Sequence, residues 1–293
     1  MAILVNQKTQ VIIQGITGRQ GAYHAARMLE YNARLTGGVV PGRGGTTVEG
    51  LPVYDTVAEA CAAGRVDASM IIVPPPAVLD AAVEAIENRI PLVVVVTEHV
   101  PVHDALRMVA LARERGVRLV GPNTIGVISP GKSKVGIMPG YIYSPGPVGI
   151  VSRSGTLCHE VASNLTFRGT GQSTCMGIGG DPIIGMTFAD VLRMFRDDAE
   201  TEVVVLVGEI GGAAEEEAAA YLAGGYPKPV VAYIAGQTAP PDRHMGHAGA
   251  IVHGATGTAA TKMDRLKQAG VRVALTVDDV LVQVACALAT RGC

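Results

Sequence analysis

The fold of this chain is decided by Gln10-Val11-Ile12-Ile13-Gln14-Gly15-Ile16-Thr17-Gly18-Arg19-Gln20-Gly21, an apolar run followed by glycines at intervals of three. The apolar run predicts a buried strand, and residues 21–31, with apolar side chains on one face, predict a helix. A strand that leads through glycines into a helix is typical of the beginning of a βαβ fold. Backbone N–H groups at such a helix start bind phosphate, although glycine-rich turns of this kind also serve packing alone.

The same alternation continues in two series, separated by a passage rich in proline and glycine. In the first series strands are predicted at residues 34–40, 68–73, 91–96 and 118–120, and helices at 57–63, 77–88 and 102–115. In the second, strands are predicted at 148–152, 172–177, 203–208, 229–234 and 271–274, and helices at 156–167, 187–196, 215–222, 257–268 and 277–289. Right-handed crossovers make each series a doubly wound parallel sheet. We therefore expect two tandem α/β domains, residues 1–128 and 148–293, joined by a linker over 129–147.

Composition excludes several classes of protein. The chain is 48% hydrophobic, but its apolar runs are far shorter than the roughly 20 residues of a bilayer span. A formal net charge of −2 without a basic run offers nothing to nucleic acid or to an acidic membrane surface. The five cysteines are widely spaced, which indicates reduced thiols and argues against a zinc site or a disulfide framework. The first residues lack the features of a secretory signal, so we expect a cytoplasmic protein or a mature organellar matrix form.

A cation follows the second predicted strand, at Arg43 in Pro41-Gly42-Arg43-Gly44-Gly45. Nicotinamide dinucleotide sites usually place Asp or Glu at that point, where the carboxylate binds the ribose hydroxyls. An arginine instead suits a phosphorylated ribose or an additional phosphate. Coenzyme A has both a 3′-phosphate and a pyrophosphate, so the pattern favours coenzyme A over NAD, with NADP as the competitor.

Two turns of the second series offer further polar groups. In Val151-Ser152-Arg153-Ser154-Gly155-Thr156 a strand leads into a helix start, which predicts either an anion site made of exposed amides or simple helix capping. In Gly208-Glu209-Ile210-Gly211-Gly212 a carboxylate ends a predicted strand, on the side of an open sheet where ligands bind. Glu209 could hydrogen-bond a histidine ring and fix its tautomer, or could only cap the helix that follows.

The candidate histidine lies in Arg243-His244-Met245-Gly246-His247-Ala248-Gly249-Ala250-Ile251. Glycines on both sides remove side-chain bulk from around His247 and permit turns closed to other residues, so a large anionic partner could reach a ring nitrogen. Taken alone, a histidine in a glycine-rich loop is more often an ordinary surface residue. The turn Gly177-Ile178-Gly179-Gly180-Asp181-Pro182 adds another glycine-rich segment at the same predicted sheet edge.

Together these motifs resemble the α subunit of succinyl-CoA synthetase, also called succinate–CoA ligase. Stretches in the order of that family carry the resemblance, at residues 15–21, 41–45, 121–123, 152–157, 177–182, 208–212 and 246–251. The resemblance implies an N-terminal Rossmann-like CoA-binding domain followed by a flavodoxin-like ligase domain with a phosphorylated histidine. It also implies a nucleoside-triphosphate-dependent ligase that forms succinyl-CoA reversibly through a phosphohistidine and an acyl phosphate.

The resemblance assigns roles residue by residue. His247 would be the phosphorylated residue and Glu209 would orient its ring, while Ser154, Gly155 and Thr156 would hold the phosphoryl group. Coenzyme A would be lined by Thr17, Gly18, Arg19, Gln20, Arg43, Val96, Thr97 and Glu98. No GxxxxGK[ST] loop and no cluster of magnesium-binding carboxylates is present in the sequence. The resemblance implies that a β subunit supplies an ATP-grasp site for ATP or GTP with Mg²⁺, in an αβ or (αβ)2 assembly that alone is active.

The chain departs from the family pattern near the expected acid site. His159 stands where the family usually has tyrosine. Gly121-Pro122-Asn123-Thr124-Ile125-Gly126 stands where it usually has Gly-Pro-Asn-Cys-Pro-Gly, which places Asn123 and Ile125 at the same site, and Arg43 replaces the usual lysine with its charge preserved. A small dicarboxylic acid is the expected substrate, with succinate first and malate or another dicarboxylate as alternatives. A CoA-sensing module without catalysis is a further alternative, which the presence of His247 and Glu209 disfavours.

Overall fold

The structure, a computed structural model, describes residues 2–239, 246–252 and 257–290. Its contacts divide the chain into two compact units. The N-terminal unit comprises Leu4–Gly140 and Ile183–Met186, and the C-terminal unit comprises Met1–Ile3, Tyr141–Pro182 and Thr187–Cys293. None of the helices in these described ranges is long and apolar enough to cross a bilayer.

A largely parallel sheet organises the N-terminal unit. Its elements are β1 (Gln10–Gln14), α1 (Arg19–Glu30), β2 (Arg34–Val39), β3 (Thr47–Val48), β4 (Leu51–Tyr54), α2 (Val57–Ala63), β5 (Ala68–Ile71), α3 (Val78–Glu87), β6 (Leu92–Val95), α4 (Val102–Arg115), β7 (Arg118–Val120), β8 (Gly126–Ser129) and β9 (Ser133–Gly136). The sheet order is β3-β4-β2-β1-β5-β6-β7, and every neighbouring pair except β3 with β4 is parallel. Counted along the chain without β3, the parallel strands lie in the order 3-2-1-4-5-6, which is the Rossmann order. The predicted Rossmann-like fold is confirmed.

The C-terminal unit is built on a second parallel sheet. Its elements are β10 (Pro145–Ser152), α5 (Gly155–Phe167), β11 (Gln172–Gly177), α6 (Phe188–Asp197), β12 (Val203–Glu209), α7 (Ala214–Leu222), β13 (Val230–Ala235), α8 (Ala259–Gln268), β14 (Arg272–Ala274) and α9 (Val277–Ala289). These strands lie in the order β14-β13-β12-β10-β11 with parallel neighbours. Counted along the chain the order is 2-1-3-4-5, which is the flavodoxin-like order. This prediction is confirmed as well.

The short antiparallel pairs were not predicted from the sequence. β3 pairs with β4, and β8 pairs with β9 within the residues that precede and begin the proline- and glycine-rich passage. Strands of two to four residues carry too little periodicity to be distinguished from turns. The passage at residues 129–147 therefore contains β9 and the first residues of β10, and the two units divide within it, after Gly140.

Close backbone packing fixes the first turn of the N-terminal unit. Gly15 has a φ of +89°, a conformation that favours glycine, and α1 begins four residues later. A Cβ built on Gly21 would lie only 2.2 Å from the carbonyl oxygen of Gly15. The first turn of α1 thus rests directly on the end of β1. This contact holds the N-terminus of α1 beside the point where the strand order reverses, between β1 and β5.

Candidate active site

Two neighbouring strands position the candidate site of the C-terminal unit. β10 pairs with β12, and just beyond β10 the backbone N–H of Arg153 donates to the carbonyl of Val207 at 3.0 Å. Glu209 is the last residue of β12. The strand order of this sheet reverses between β10 and β12, and open α/β sheets bind ligands in the crevice at such a point. The fold therefore brings Arg153, Glu209 and the start of α5 to the edge where a ligand is expected.

His247 is hydrogen-bonded to Glu209. Nδ1 of the ring lies 2.8 Å from Oε2 of the carboxylate, and the two side chains are 26% and 7% exposed. Because an ionised carboxylate only accepts hydrogen bonds, Nδ1 carries the proton and the neutral ring keeps its lone pair on Nε2. The pairing predicted between this histidine and this carboxylate is therefore present as a contact, and it leaves a nucleophilic nitrogen on a partly exposed ring.

The contact with Glu209 also changes the acidity of the imidazole. The hydrogen bond that the ring donates to Glu209 raises the pKa of His247 above its ordinary value, and partial burial of the ring acts against this. The carboxylate charge and Asp181 raise the pKa further, while the charge of Arg153 lowers it. Glu209 thus stabilises a positive charge on the ring.

Glycines let the histidine loop lie close to the sheet edge. A Cβ on Gly180 would be 2.6 Å from Cγ of His247, and a Cβ on Gly249 would be 2.7 Å from Nη2 of Arg153. Gly246 has a φ of +84° and open space where a side chain would be. The predicted glycine-rich segment at residues 177–182 therefore packs against the ring. Arg243, His244 and Met245 of the predicted motif lie outside the described residues.

Arg153 is a site residue that the sequence did not single out. Its Nε lies 3.3 Å from Oε1 of Glu209, its Nη1 donates to the carbonyl of Gly211 at 3.0 Å, and the residue is only 6% exposed. The guanidinium thus faces the oxygen of Glu209 that does not contact His247. In the sequence, Arg153 is visible only as a charged residue between a predicted strand and a predicted helix. It lies within the stretch 152–156, which as a whole predicts an anion site or helix capping.

The start of α5 has the features of an anion site. Ser154 caps the helix by accepting from the N–H of Leu157 at 3.3 Å, and its own N–H is held by Oγ of Ser152 at 3.1 Å. Gly155 and Thr156 are the first helical residues, whose amides have no acceptor within the helix. The helix contains no acidic residue in its first turn. Capping and anion binding are therefore compatible here. The cap uses the amide of Leu157, and the amides of Gly155 and Thr156 remain available to an anion.

The residues expected to line coenzyme A occupy the equivalent edge of the N-terminal unit. They follow the carboxyl ends of three strands: Thr17, Gly18, Arg19 and Gln20 follow β1, Arg43 follows β2, and Val96, Thr97 and Glu98 follow β6. Gly18 precedes α1 without a side-chain cap, and the first turn of the helix has no acidic residue. The hydroxyl of Thr97 donates to the carbonyl of Val73 at 2.7 Å. Amides, glycine and exposed cations at this edge fit an anion such as a pyrophosphate.

The residues expected near the acid substrate lie in different units. Nδ1 of His159, on α5, is 2.7 Å from the hydroxyl of Tyr143, and burial lowers the pKa of this histidine. In the N-terminal unit the backbone N–H of Asn123 donates to the carbonyl of Thr97 at 3.0 Å. Ile125 accepts from the N–H of Ile137 at 3.0 Å. The imidazole that replaces the family tyrosine therefore has a phenol as its neighbour.

Known proteins match both units. The sequence model of the CoA binding domain family matches residues 6–99, and that of the CoA-ligase family matches residues 151–272. The chain is 54% identical over 285 residues to succinate–CoA ligase [ADP-forming] subunit alpha 2 of Archaeoglobus fulgidus, covering 97% of this chain and 99% of that protein. The chain belongs to the family of succinate–CoA ligase α subunits.

Other relatives extend this assignment. The succinate–CoA ligase [ADP-forming] subunit alpha of Aquifex aeolicus is 53% identical over 275 residues, covering 93% of this chain and 90% of that protein. Among solved structures, the ATP citrate lyase of Methanothrix soehngenii in complex with citrate and coenzyme A superposes with a TM-score of 0.90 at 27% identity. That match covers 99% of this chain but 52% of the lyase, so the chain spans about half its length. The N-terminal unit of this succinate–CoA ligase family member contains a CoA-binding domain, and the name α subunit implies a partner subunit.

The hydrogen bond to Glu209 makes the acidity of His247 measurable. We expect Glu209→Gln to lower the pKa of His247, because the variant removes the anion that stabilises the imidazolium. A pH titration followed by NMR, on the full chain with ¹³Cε1-labelled histidines, measures this pKa. The variant His247→Gln assigns the signal. The matched control is Glu217→Gln, an exposed position of α7. An unchanged titration in Glu209→Gln would show that the carboxylate does not control the ring.

Proposed function

We propose that this chain is the α subunit of a nucleoside-triphosphate-dependent succinate–CoA ligase that works through phosphorylated His247. The observation that carries the proposal is the hydrogen bond of 2.8 Å by which Glu209 fixes Nδ1 and leaves Nε2 as the nucleophile. A CoA-sensing module would have no use for a reachable, oriented imidazole at the crevice of its second sheet. Relatives named succinate–CoA ligase at about half identity support the same activity.

In the first step the imidazole accepts a phosphoryl group. The lone pair of Nε2 attacks the γ-phosphorus of ATP or GTP, and the bond to the bridging oxygen breaks to release the nucleoside diphosphate. Nδ1 keeps its proton and its hydrogen bond to Glu209, so the carboxylate balances the charge that develops on the ring. We assign the amides of Gly155 and Thr156, with Ser154, to hold the transferred phosphoryl group at the start of α5.

In the later steps the phosphoryl group activates the acid. A carboxylate oxygen of succinate attacks phosphorus, the P–N bond breaks and its electron pair returns to Nε2. The product is an acyl phosphate, whose phosphate is a far better leaving group than the original carboxylate oxygen. The thiolate of coenzyme A then attacks the acyl carbon, and inorganic phosphate departs as succinyl-CoA forms.

The partner subunit completes the enzyme in this proposal. We assign the nucleotide and its Mg²⁺ to a β subunit with an ATP-grasp domain, in an αβ or (αβ)2 assembly. The α chain contributes the coenzyme A site: the amides at the start of α1 for the pyrophosphate, and Arg43 for the additional phosphate. Succinate is the proposed acid. The hydrogen bond between His159 and Tyr143 gives the replaced position an internal role that does not require a different acid.

Phosphorylation of His247 tests the mechanism directly. With the β partner, Mg²⁺ and ATP labelled at the γ-phosphate, we expect one label per α chain that survives alkali and is lost in acid, as a phosphoramidate should be. The label should disappear in His247→Asp and persist in the control His103→Asp, an exposed histidine of α4. Quantitative labelling of His247→Asp would place the phosphate elsewhere.

Binding of coenzyme A tests the N-terminal unit. We expect Arg43→Ala to weaken coenzyme A about ten- to a hundredfold, because a charge-assisted hydrogen bond to phosphate contributes roughly 1.5–3 kcal/mol. Calorimetry on the full chain with coenzyme A, dephospho-coenzyme A and NAD measures it. Arg34→Ala is the control, since Arg34 begins β2 at the opposite edge of the sheet and is also exposed. Equal affinity for coenzyme A and dephospho-coenzyme A would contradict the role of Arg43.

Substitution of His159 tests the assignment of the acid. Asparagine places a polar atom near the position of Nδ1, where it can still contact Tyr143. It has no atom at the position of Nε2, so a contact between Nε2 and the acid would be lost. We therefore expect His159→Asn to retain succinate as the best substrate, with the ratio of kcat/KM for succinate to that for malate changed less than about threefold. Steady-state assays of the assembled enzyme give the ratio. If the ratio changes by tenfold or more, the imidazole contacts the acid, and malate becomes the leading alternative.

A further inference from the structure

A fully buried lysine lies beneath the candidate active site. Lys262, on α8, is 0% exposed, and its Nζ forms an ion pair with Glu215 and a second, at 3.1 Å, with Glu216. Nζ also donates to the carbonyl of Gly212 at 3.1 Å. Lysine is rarely buried completely unless it is paired, and desolvating this charge is costly. Neither the proposed chemistry nor the family motifs assign this residue a role.

Glu215 connects the lysine to the active site. This side chain, on α7, is also 0% exposed. Its Oε1 accepts the backbone N–H of Glu209 at 3.0 Å and lies 3.6 Å from Nη1 of Arg153. Arg153 in turn faces Glu209 through Nε at 3.3 Å, and Glu209 holds His247. A continuous chain of contacts thus runs from Lys262 through Glu215, Arg153 and Glu209 to His247.

The buried members of this chain of contacts carry two negative and two positive charges, while Glu216, which is 21% exposed, is a further anion on Lys262. Among its buried members, Glu209 and Glu215 carry negative charge, and Arg153 and Lys262 carry positive charge. Arg153 lies between the two carboxylates. When another cation neutralises Glu215, the guanidinium can remain paired with Glu209. With Lys262 paired to Glu215, the guanidinium lies nearer to Glu209, at 3.3 Å, than to Glu215, at 3.6 Å. Without it, the nearest remaining cation for Glu215 in the described structure is Arg153 itself.

We propose that Lys262 is a positioning residue for the Glu209–His247 pair. By neutralising Glu215 it keeps the guanidinium of Arg153 on Oε1 of Glu209, and this orients Oε2 toward Nδ1 of His247. The kinetic consequence rests on the proposed function, because it requires His247 to be phosphorylated. The geometric consequence concerns only the imidazole and can be measured without turnover.

The direction in which the pKa of His247 changes when Lys262 is replaced distinguishes a positioning role from a direct charge effect. Among the residues that the structure describes, the charged groups that act on the pKa of His247 are Glu209, Arg153 and Asp181. Loss of a nearby cation by itself would raise the pKa of His247, since it removes a charge that disfavours the imidazolium. Positioning has the opposite consequence. In Lys262→Met the guanidinium moves to Glu215, Glu209 loses its orientation, and the pKa of His247 falls by about one unit as its hydrogen bond weakens.

The experiment is NMR titration of the histidines in the full chain for Lys262→Met, with Lys267→Met as the matched control. Lys267 is exposed on the same helix and should leave the titration unchanged. The double variant Glu215→Gln/Lys262→Met removes both charges, and its amide can still accept the N–H of Glu209. We expect the double variant to restore the pKa of His247, because Glu209 is then the one carboxylate of the two that can pair with Arg153.

The outcomes are decisive even if one variant does not fold. A pKa that rises or stays constant in Lys262→Met overturns the proposal. So does a double variant as low as the single one, because Lys262 would then act by holding the carbonyl of Gly212. If Lys262→Met does not fold, the double variant decides alone: a titration like the wild type supports the charge role and a lowered pKa refutes it.

Single-turnover phosphorylation of His247 tests the kinetic consequence of the positioning role. We expect Lys262→Met to slow the labelling of His247 about tenfold in the assembled enzyme, with recovery in the double variant. Failure of the wild type to become labelled would refute the proposed function and leave the pKa result standing. A labelling rate in Lys262→Met equal to that of the wild type, in an enzyme that is labelled normally, would refute the positioning role.

Discussion

The hydrogen bond between Glu209 and His247 is the interaction on which the rest of the C-terminal site depends. It joins the end of a buried strand to a loop residue 38 positions later in the chain. A carboxylate whose side chain is 7% exposed needs a compensating cation, which explains the burial of Arg153 beside it. The ring must also approach the sheet edge closely, and Gly180 permits this because any side chain there would overlap the imidazole.

The two units share an arrangement that suits an anion. In each, a parallel sheet reverses its strand order, and a helix begins immediately after the strand at that point, α1 after β1 and α5 after β10. Neither helix has an acidic residue in its first turn. The free amides and the helix dipole therefore favour negative charge at both edges. The function proposed for this chain uses both edges, one for coenzyme A and one for a phosphoryl group.

Burial of charge distinguishes this site from an ordinary surface loop. The pair Arg153 and Glu209 and the pair Lys262 and Glu215 are each almost completely removed from water. Such pairs gain little stability over apolar residues of similar size, but removing one partner leaves an uncompensated buried charge, so the partners hold each other in place. Here that arrangement fixes one carboxylate oxygen on one ring nitrogen. The neutral tautomer with its lone pair on Nε2 follows from it.

The sequence by itself determined the longer helices and the parallel strands, because apolar periodicity is a local property. For Glu209 the residues alone left a histidine partner and a helix cap as alternatives, and the family resemblance implied the pairing with His247. Only the tertiary structure showed that pairing as a contact, together with the contacts of Arg153, Glu215 and Lys262 and that of His159 with Tyr143. The first turn of α7 looks like an ordinary acidic helix start, and Lys262 shows only as a charge on the apolar face of α8. Which buried charges meet depends on how the helices pack on the sheet, and that packing is not encoded in any single stretch of the chain.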